Sequence, residues 1–332
     1  MASFESINYS LRPGKGVERK MICDLARRLS VFDKIEEYSY IGFGSIFFAD
    51  FTLFHKALGM RNMHSIEREV RVIKDPVIQS RFEFNKPFSC VKVHYGSAAD
   101  MLPAMDWGRR AIIWLDYDGK LDNESLSDLR IVLRSVRPGS LVLISTNVQP
   151  DFPPADSGIS ERVFRYQETL SRLDLDYLPE WVHTENLTIV RLISAYHYAL
   201  TGTVNETIGA RNGSSENPIV PRQLINIRYK DNAEMLTLGW LITDKSQEDS
   251  VEKARFQDLN FVNVSAEPFR IQIPPLTIRE INWIDSALHT AVNPDGTIKL
   301  DLVSAAPLLP PRLVSQYANI YRYFPTFAEA IL

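Results

Sequence analysis

The chain has 332 residues, 45% of them hydrophobic, with a formal net charge of -4. That length suits one large α/β domain with an appendage, and the near-neutral total argues against a generally basic nucleic-acid-binding surface, leaving room only for a local basic patch. Cys23 and Cys90 are too few for a disulfide framework or a thiolate zinc site, and no stretch approaches the roughly eighteen uninterrupted apolar residues of a membrane span.

Residues 1–37 read as an N-terminal segment. Met1–Ser6 carries no basic region ahead of an apolar run, so the expectation is a soluble, cytoplasmic protein. Asn8 to Lys15 is irregular; Arg12 and Lys15 are candidate anion contacts, with solvated loop charges the favoured reading. From Gly16 to Ser30 the spacing of Val17, Met21, Leu25 and Leu29 predicts an amphipathic helix whose other side carries Arg19, Lys20, Arg27 and Arg28.

Residues 38–243 alternate strands with helices. Strands are predicted at 38–45, 62–67, 89–95, 111–117 and 141–147, and five βα repeats imply a parallel sheet. Ala111–Leu115 and Leu141–Ile144 are continuously apolar, as central strands covered on both faces should be. Arg137-Pro138-Gly139-Ser140 stops a helix and turns the chain into the fifth strand. Helices are expected over Glu161–Leu173 and near Glu185–Leu200, followed by an exposed connection from Gly202 to Pro221, rich in Gly, Asn and Ser. Gln223–Tyr229 and Met235–Thr243 then form a hairpin around Lys230–Ala233.

Residues 244–332 form a C-terminal extension, joined by a charged linker at Asp244–Lys253. Thr277-Ile278-Arg279-Glu280 is a capping box opening a helix with Ile281, Ile284 and Leu288 on one face, and Pro311–Tyr323 offers another. With Asp295–Ile298 between them, these helices suit either a packing appendage or a small winged-helix-like module. The fold class is therefore α/β: a Rossmann-like parallel sheet closed by an antiparallel β-hairpin, with an N-terminal helix and a C-terminal helical extension.

In open parallel sheets ligands bind beyond the carboxyl ends of the strands. That selects Gly42, Gly44 and Ser45; Glu67; Gly96, Ser97 and Asp100; Asp116, Tyr117 and Asp118; and Thr146 with Asn147. Gly42 and Gly44 remove side chains where strand must turn into helix, and Glu67 ends the next strand, where a carboxylate can accept from a ribose diol. The six histidines show no ligand pair at helical spacing, and Ser45 and Ser145 lack the glycine-flanked turn of a serine nucleophile.

Taken together, the five βα units, the hairpin, and Gly42-x-Gly44, Glu67, Gly96-Ser97 and Asp116 at strand ends resemble the class I S-adenosylmethionine-dependent methyltransferases over roughly residues 38–243. The resemblance implies S-adenosylmethionine as cofactor: Gly42, Gly44 and Ser45 beneath its methionine part, Glu67 on the ribose, Ser97 and Ala98 at the adenine, and Asp116 facing the acceptor. Tyr40 stands where that family usually has an acid, and Ile46 where it has a third small residue. Asp116, Asp118 and Lys120, with Asn147, look like the metal-assisted O-methyltransferases of the catechol type, in which hard oxygen ligands hold Mg²⁺. Thr146 replaces one acid of that set and Lys120 is shifted by one position, so magnesium is not favoured. Asp116-Tyr117-Asp118-Gly119 lacks the paired prolines of base N-methyltransferases.

The implied activity is methyl transfer to an oxygen of an unidentified acceptor, with Asp116, Asp118, Lys120 and Asn147 as the catalytic set. Two alternatives stay open: a catalytically silent Rossmann-like scaffold or nucleotide sensor, and an NAD-dependent oxidoreductase, whose fingerprint would need a glycine at Phe47. The enzyme reading requires an adenosyl crevice where the first two strands finish, lined by the bare bend and by Glu67.

Overall fold

The structure, a computed structural model, describes residues 12–68, 74–213, 216–291 and 309–325. Five strands run parallel: β1 (Ser39–Gly42), β2 (Asn62–Glu67), β3 (Val91–Tyr95), β4 (Ala111–Asp116) and β5 (Ser140–Asn147). β6 (Ile219–Lys230) and β7 (Glu234–Asp244) form the hairpin; β7 pairs antiparallel with β5, and the short β8 (Phe269–Arg270) pairs parallel with β6. The strand order is β3-β2-β1-β4-β5-β7-β6-β8. The expected Rossmann-like sheet closed by a hairpin is therefore present, with one further strand at its edge.

Ten α-helices are described: α1 (Pro13–Arg27), α2 (Ala49–Leu58), α3 (Pro76–Asn85), α4 (Ala98–Met101), α5 (Asn123–Ser135), α6 (Glu161–Leu170), α7 (Ile189–Asn212), α8 (Glu248–Ala254), α9 (Ile278–Ala291) and α10 (Pro311–Ile320). The period-2 alternation of the central strands sorts their side chains into two cores. Ile112, Trp114, Leu141 and Leu143 join a core built with α1 and α2, while Ile113, Leu115, Val142 and Ile144 join one built with α5 and α7. A third cluster, Ile284, Leu288, Val314, Tyr317 and Ala318, ties α9 to α10. No helix among the described residues is long and apolar enough to cross a membrane.

Several boundaries differ from expectation, each for a tertiary reason. The first helix starts at Pro13, three residues early, because the Asp231 carboxylate in the β6–β7 turn accepts from the backbone N–H of Gly14 (2.8 Å) and Lys15 (3.1 Å). Arg19 belongs to the buried side of that helix, not its solvent face. The segment read as an exposed connection after Gly202 continues α7 to Asn212, since Thr203, Val204, Thr207 and Ile208 are buried there. Helix α6 stops at Leu170, and the charged linker at Asp244 is ordered, with the Asp244 side chain capping the turn before α8. The Thr277–Glu280 capping box opens α9 as read: Thr277 N–H donates to Glu280 Oε2 (2.6 Å) and Glu280 N–H to Thr277 Oγ1 (3.3 Å). Asp295–Ile298 lies outside the described residues.

Candidate functional site

The carboxyl ends of β1, β2, β4 and β5 share one edge of the sheet. Because β7 runs antiparallel to β5, with Met235 opposite Asn147, the β6–β7 turn reaches that edge too. After β1 the chain bends sharply, with Ser45 (φ 47°) and Phe48 (φ 44°) in the left-handed region, a conformation costing a non-glycine residue about 1 kcal/mol or more. Neither glycine of the bend tolerates a side chain. A Cβ on Gly42 would lie 2.9 Å from Tyr40 Oη, and one on Gly44 would lie 2.7 Å from both Phe48 Cδ1 and Ser65 Oγ.

Glu67 turns inward to this bend. Gly44 N–H donates to Ser65 Oγ (2.9 Å), and the Ser65 hydroxyl donates to Glu67 Oε1 (2.9 Å). Burial pushes the Glu67 carboxyl up to about 8, against hydrogen bonds from Ser65 and from the backbone of Ser45 and Gly44 that favour its charged form. The ring packed against Gly44 is Phe48, a fully buried member of the α1–α2 core. Where the sequence offers Tyr40 in place of an acid, the Tyr40 hydroxyl donates to the buried Asp50 carboxylate of α2. A carboxyl group thus comes to the bend from another element. Burial raises the Asp50 carboxyl, and the nearby Arg19 charge partly offsets that.

After β3, Ser97 caps α4: its Oγ accepts from Asp100 N–H (3.1 Å) and donates to Asp100 Oδ2 (2.6 Å), while Ala98 is buried. Asp100 is therefore engaged by the cap.

At the end of β4, Asp116 meets the first turn of α1. Lys15 Nζ lies 2.5 Å from Asp116 Oδ1, 2.9 Å from Glu18 Oε2 and 4.1 Å from the centroid of the Trp114 ring. Lys15 is not the solvated loop charge expected; it is 1% exposed, and Glu18 beside it is fully buried. Burial alone would raise the Asp116 carboxyl, but the Lys15 ammonium, with Arg19 and Arg12, outweighs it and holds the group below its ordinary value. Burial wins at Glu18, which is raised despite Lys15. Arg12 likewise leaves the solvated role, lying 3.7 Å from Asp118 Oδ1 and 3.5 Å from Asp231 Oδ2.

The remaining predicted residues face other partners. Lys120 Nζ pairs with Asp151 Oδ1 at 2.6 Å, and Arg172 reaches the other oxygen of that carboxylate at 2.7 Å. Asn147 Oδ1 accepts from Gln149 N–H (2.7 Å), and its own N–H donates to the carbonyl of Gly119 (2.9 Å). Tyr117 donates to Asp128 Oδ2 (2.6 Å) and is buried. Among the described residues no group of three or more His, Cys, Asp or Glu side chains could hold a metal ion.

The structure thus gathers Asp116 and Asp118 around the cations of α1, and joins Gly44 and Glu67 through Ser65. Lys15, Glu18, Arg12, Asp50 and Asp231 were not among the predicted site residues. One signal was available: Lys15 and Glu18 share their helix face with Ile22 and Leu25, at positions i, i+3, i+7 and i+10, where solvated charges are out of place.

A family model described as "Putative O-methyltransferase" matches residues 7–332. No curated protein matches the chain. Among solved structures, one from Klebsiella pneumoniae with the same description is 13% identical, over 72% of this chain and 84% of that one, with a TM-score of 0.38. An O-methyltransferase from Bacillus cereus in complex with SAH is 15% identical, over 66% and 80% of the two chains, with a TM-score of 0.33. The O-methyltransferase TomG from Streptomyces achromogenes, in complex with SAM, is 16% identical over 71% and 91%, with a TM-score of 0.33.

Proposed function

Because the chain belongs to this O-methyltransferase family, whose model spans residues 7–332, we propose that it transfers a methyl group from S-adenosylmethionine to an oxygen of a second molecule. The observation that carries the cofactor is the buried Glu67 carboxyl at the tip of β2, tied through Ser65 to the bare bend at Gly44. A ribose asks for an acceptor of hydroxyl hydrogen bonds at a strand end, and the Glu67 carboxyl fits that part of the group; at the bend, Tyr40, Phe48 and Ser65 fill the space where side chains on Gly42 and Gly44 would stand. Bound there, S-adenosylmethionine supplies a methyl group on a positively charged sulfur. Glu67 accepts from the ribose hydroxyls, Gly42, Gly44 and Ser45 present their backbone to the methionine part, and Ser97 and Ala98 meet the adenine.

On the acceptor side, Asp116 is an ionised carboxylate fixed by Lys15. A carboxylate held below its ordinary pKa is a weak base. Asp116 therefore orients the acceptor oxygen rather than taking its proton, with Asp118 beside it, while Lys120 and Asn147 are engaged by Asp151 and Gln149. The proton of the acceptor hydroxyl passes to solvent water, and most of the rate comes from alignment of the two reacting atoms.

Isothermal titration of the full chain with S-adenosylmethionine tests this. Glu67→Ala should raise Kd by about 5- to 150-fold, the loss of two hydrogen bonds to a carboxyl that burial keeps protonated near neutral pH, at about 0.5–1.5 kcal/mol each. Asp116→Ala should leave that Kd nearly unchanged and lower methyl transfer. No saturable binding to the wild-type chain, or an unaltered Kd in Glu67→Ala, would overturn the assignment.

A further inference from the structure

On the same edge of the sheet as the carboxyl ends of the parallel strands, a cleft of about 710 Å³ opens between the start of α1, the β6–β7 turn, β8 and α10. Five cations line it: Arg12, Arg228, Lys230, Arg270 and Arg312. Two acids meet two of them, Asp231 at 3.5 Å from Arg12 and Glu234 at 2.9 Å from Arg228. Lys230, Arg270 and Arg312 are exposed, and none has a carboxylate at ion-pair distance among the described residues. The cleft therefore carries an excess of positive charge within a chain whose total is -4.

Two further features describe what would fill it. Arg228 and Arg270 are register partners on the paired strands β6 and β8, where like charges side by side are destabilising. Glu234 offsets Arg228 alone, so Arg270 keeps its charge for an incoming anion. Pro13, Ile273 and Leu313 add an apolar wall, and the volume lies within the roughly 300–1,000 Å³ of small-molecule sites. Arg12 links the cleft to the acids after β4 through Asp118, and Asp231 caps the helix turn that carries Lys15, the partner of Asp116.

We propose that this cleft binds the methyl acceptor, and that the acceptor is a small molecule bearing a phosphate or carboxylate group on an apolar body. The role as acceptor rests on the methyl-transfer reading, whereas the anion site stands on its own residues. Arginine suits either anion, because its planar fork can donate two parallel hydrogen bonds.

The test is calorimetric titration of the full chain, wild type and R270Q/R312Q, with phenyl phosphate, benzoate, phenol and S-adenosylmethionine. At least one of the two anions should bind saturably, about tenfold or more tighter than phenol, and weaken about tenfold or more in the double variant, as expected when charge-assisted hydrogen bonds are lost. Preference between phenyl phosphate and benzoate identifies the anionic group. The Kd for S-adenosylmethionine should not change in the double variant. The proposal is overturned if neither anion saturates, if the double variant binds them as the wild type does, or if a single-stranded oligonucleotide binds far more tightly with the same dependence on Arg270 and Arg312. Anion binding without any S-adenosylmethionine binding would support the cleft as an anion site and overturn the methyl-transfer reading.

Discussion

Burial pushes the Glu67 carboxyl up to about 8, whereas its ordinary value is 4.5. Between those two values the folded chain holds a proton that the unfolded chain gives up. Below about pH 4.5 the carboxyl is protonated in both states, and the folded state loses stability as pH rises from there through the folded pKa. Glu67→Gln removes that dependence. Its melting temperature should match that of the wild type near pH 4 and exceed it increasingly from about pH 5 to about pH 9, with an upper bound of about 5 kcal/mol. Thermal melts across this range check it, and a difference independent of pH would refute it. The sequence marked Glu67 through its place at a strand end, yet could not show that Ser65 turns it toward Gly44. Tyr40 is a similar case: the sequence shows a missing acid, and only the fold shows the Asp50 carboxylate bonded to the tyrosine hydroxyl.

At the scale of elements, strands were more legible than helix ends. Continuous apolar runs place β4 and β5 at the centre because both faces are covered, a property of the local sequence. The seating of β7 between β5 and β6 depends on a glycine that periodicity does not single out. A Cβ on Gly239 would lie 2.5 Å from Leu143 Cδ2 and 3.0 Å from Ile225 Cβ, next to the register shift between Gln223 and Ile225. Gly239→Ala should therefore cost about 1–3 kcal/mol through overpacking, seen as a lower urea midpoint with an unchanged slope. An unchanged midpoint would mean that the strands relax freely around the added methyl. In α7 the error ran the other way, since Gly202 and Gly209 weaken a helix by about 1 kcal/mol each. Both are exposed, while Thr203, Val204, Thr207 and Ile208 around them are buried, and that packing carries the helix past both.

Across the whole molecule, the N-terminal helix, the sheet and the hairpin meet in one charged network. Lys15 joins Glu18 of its own helix to Asp116 of β4, and Asp231 of the β6–β7 turn caps the same helix. Lys15→Met strands two carboxylates in a region with little access to water, and should destabilise the chain by about 3–5 kcal/mol. Chemical denaturation followed by circular dichroism measures this, and a loss well under 1 kcal/mol would show that the ion pair contributes little. The sequence by itself determined the alternation of strands and helices, the closing hairpin and the polar residues at strand ends, because periodicity, turn chemistry and capping act between near neighbours. The charge partners were decided only by the tertiary structure: Lys15 and Asp116 lie 101 positions apart, and Gly14 and Asp231 lie 217 apart. Coulomb attraction and desolvation depend on distance in space and on exclusion of water, and both arise only once the sheet has brought those segments together.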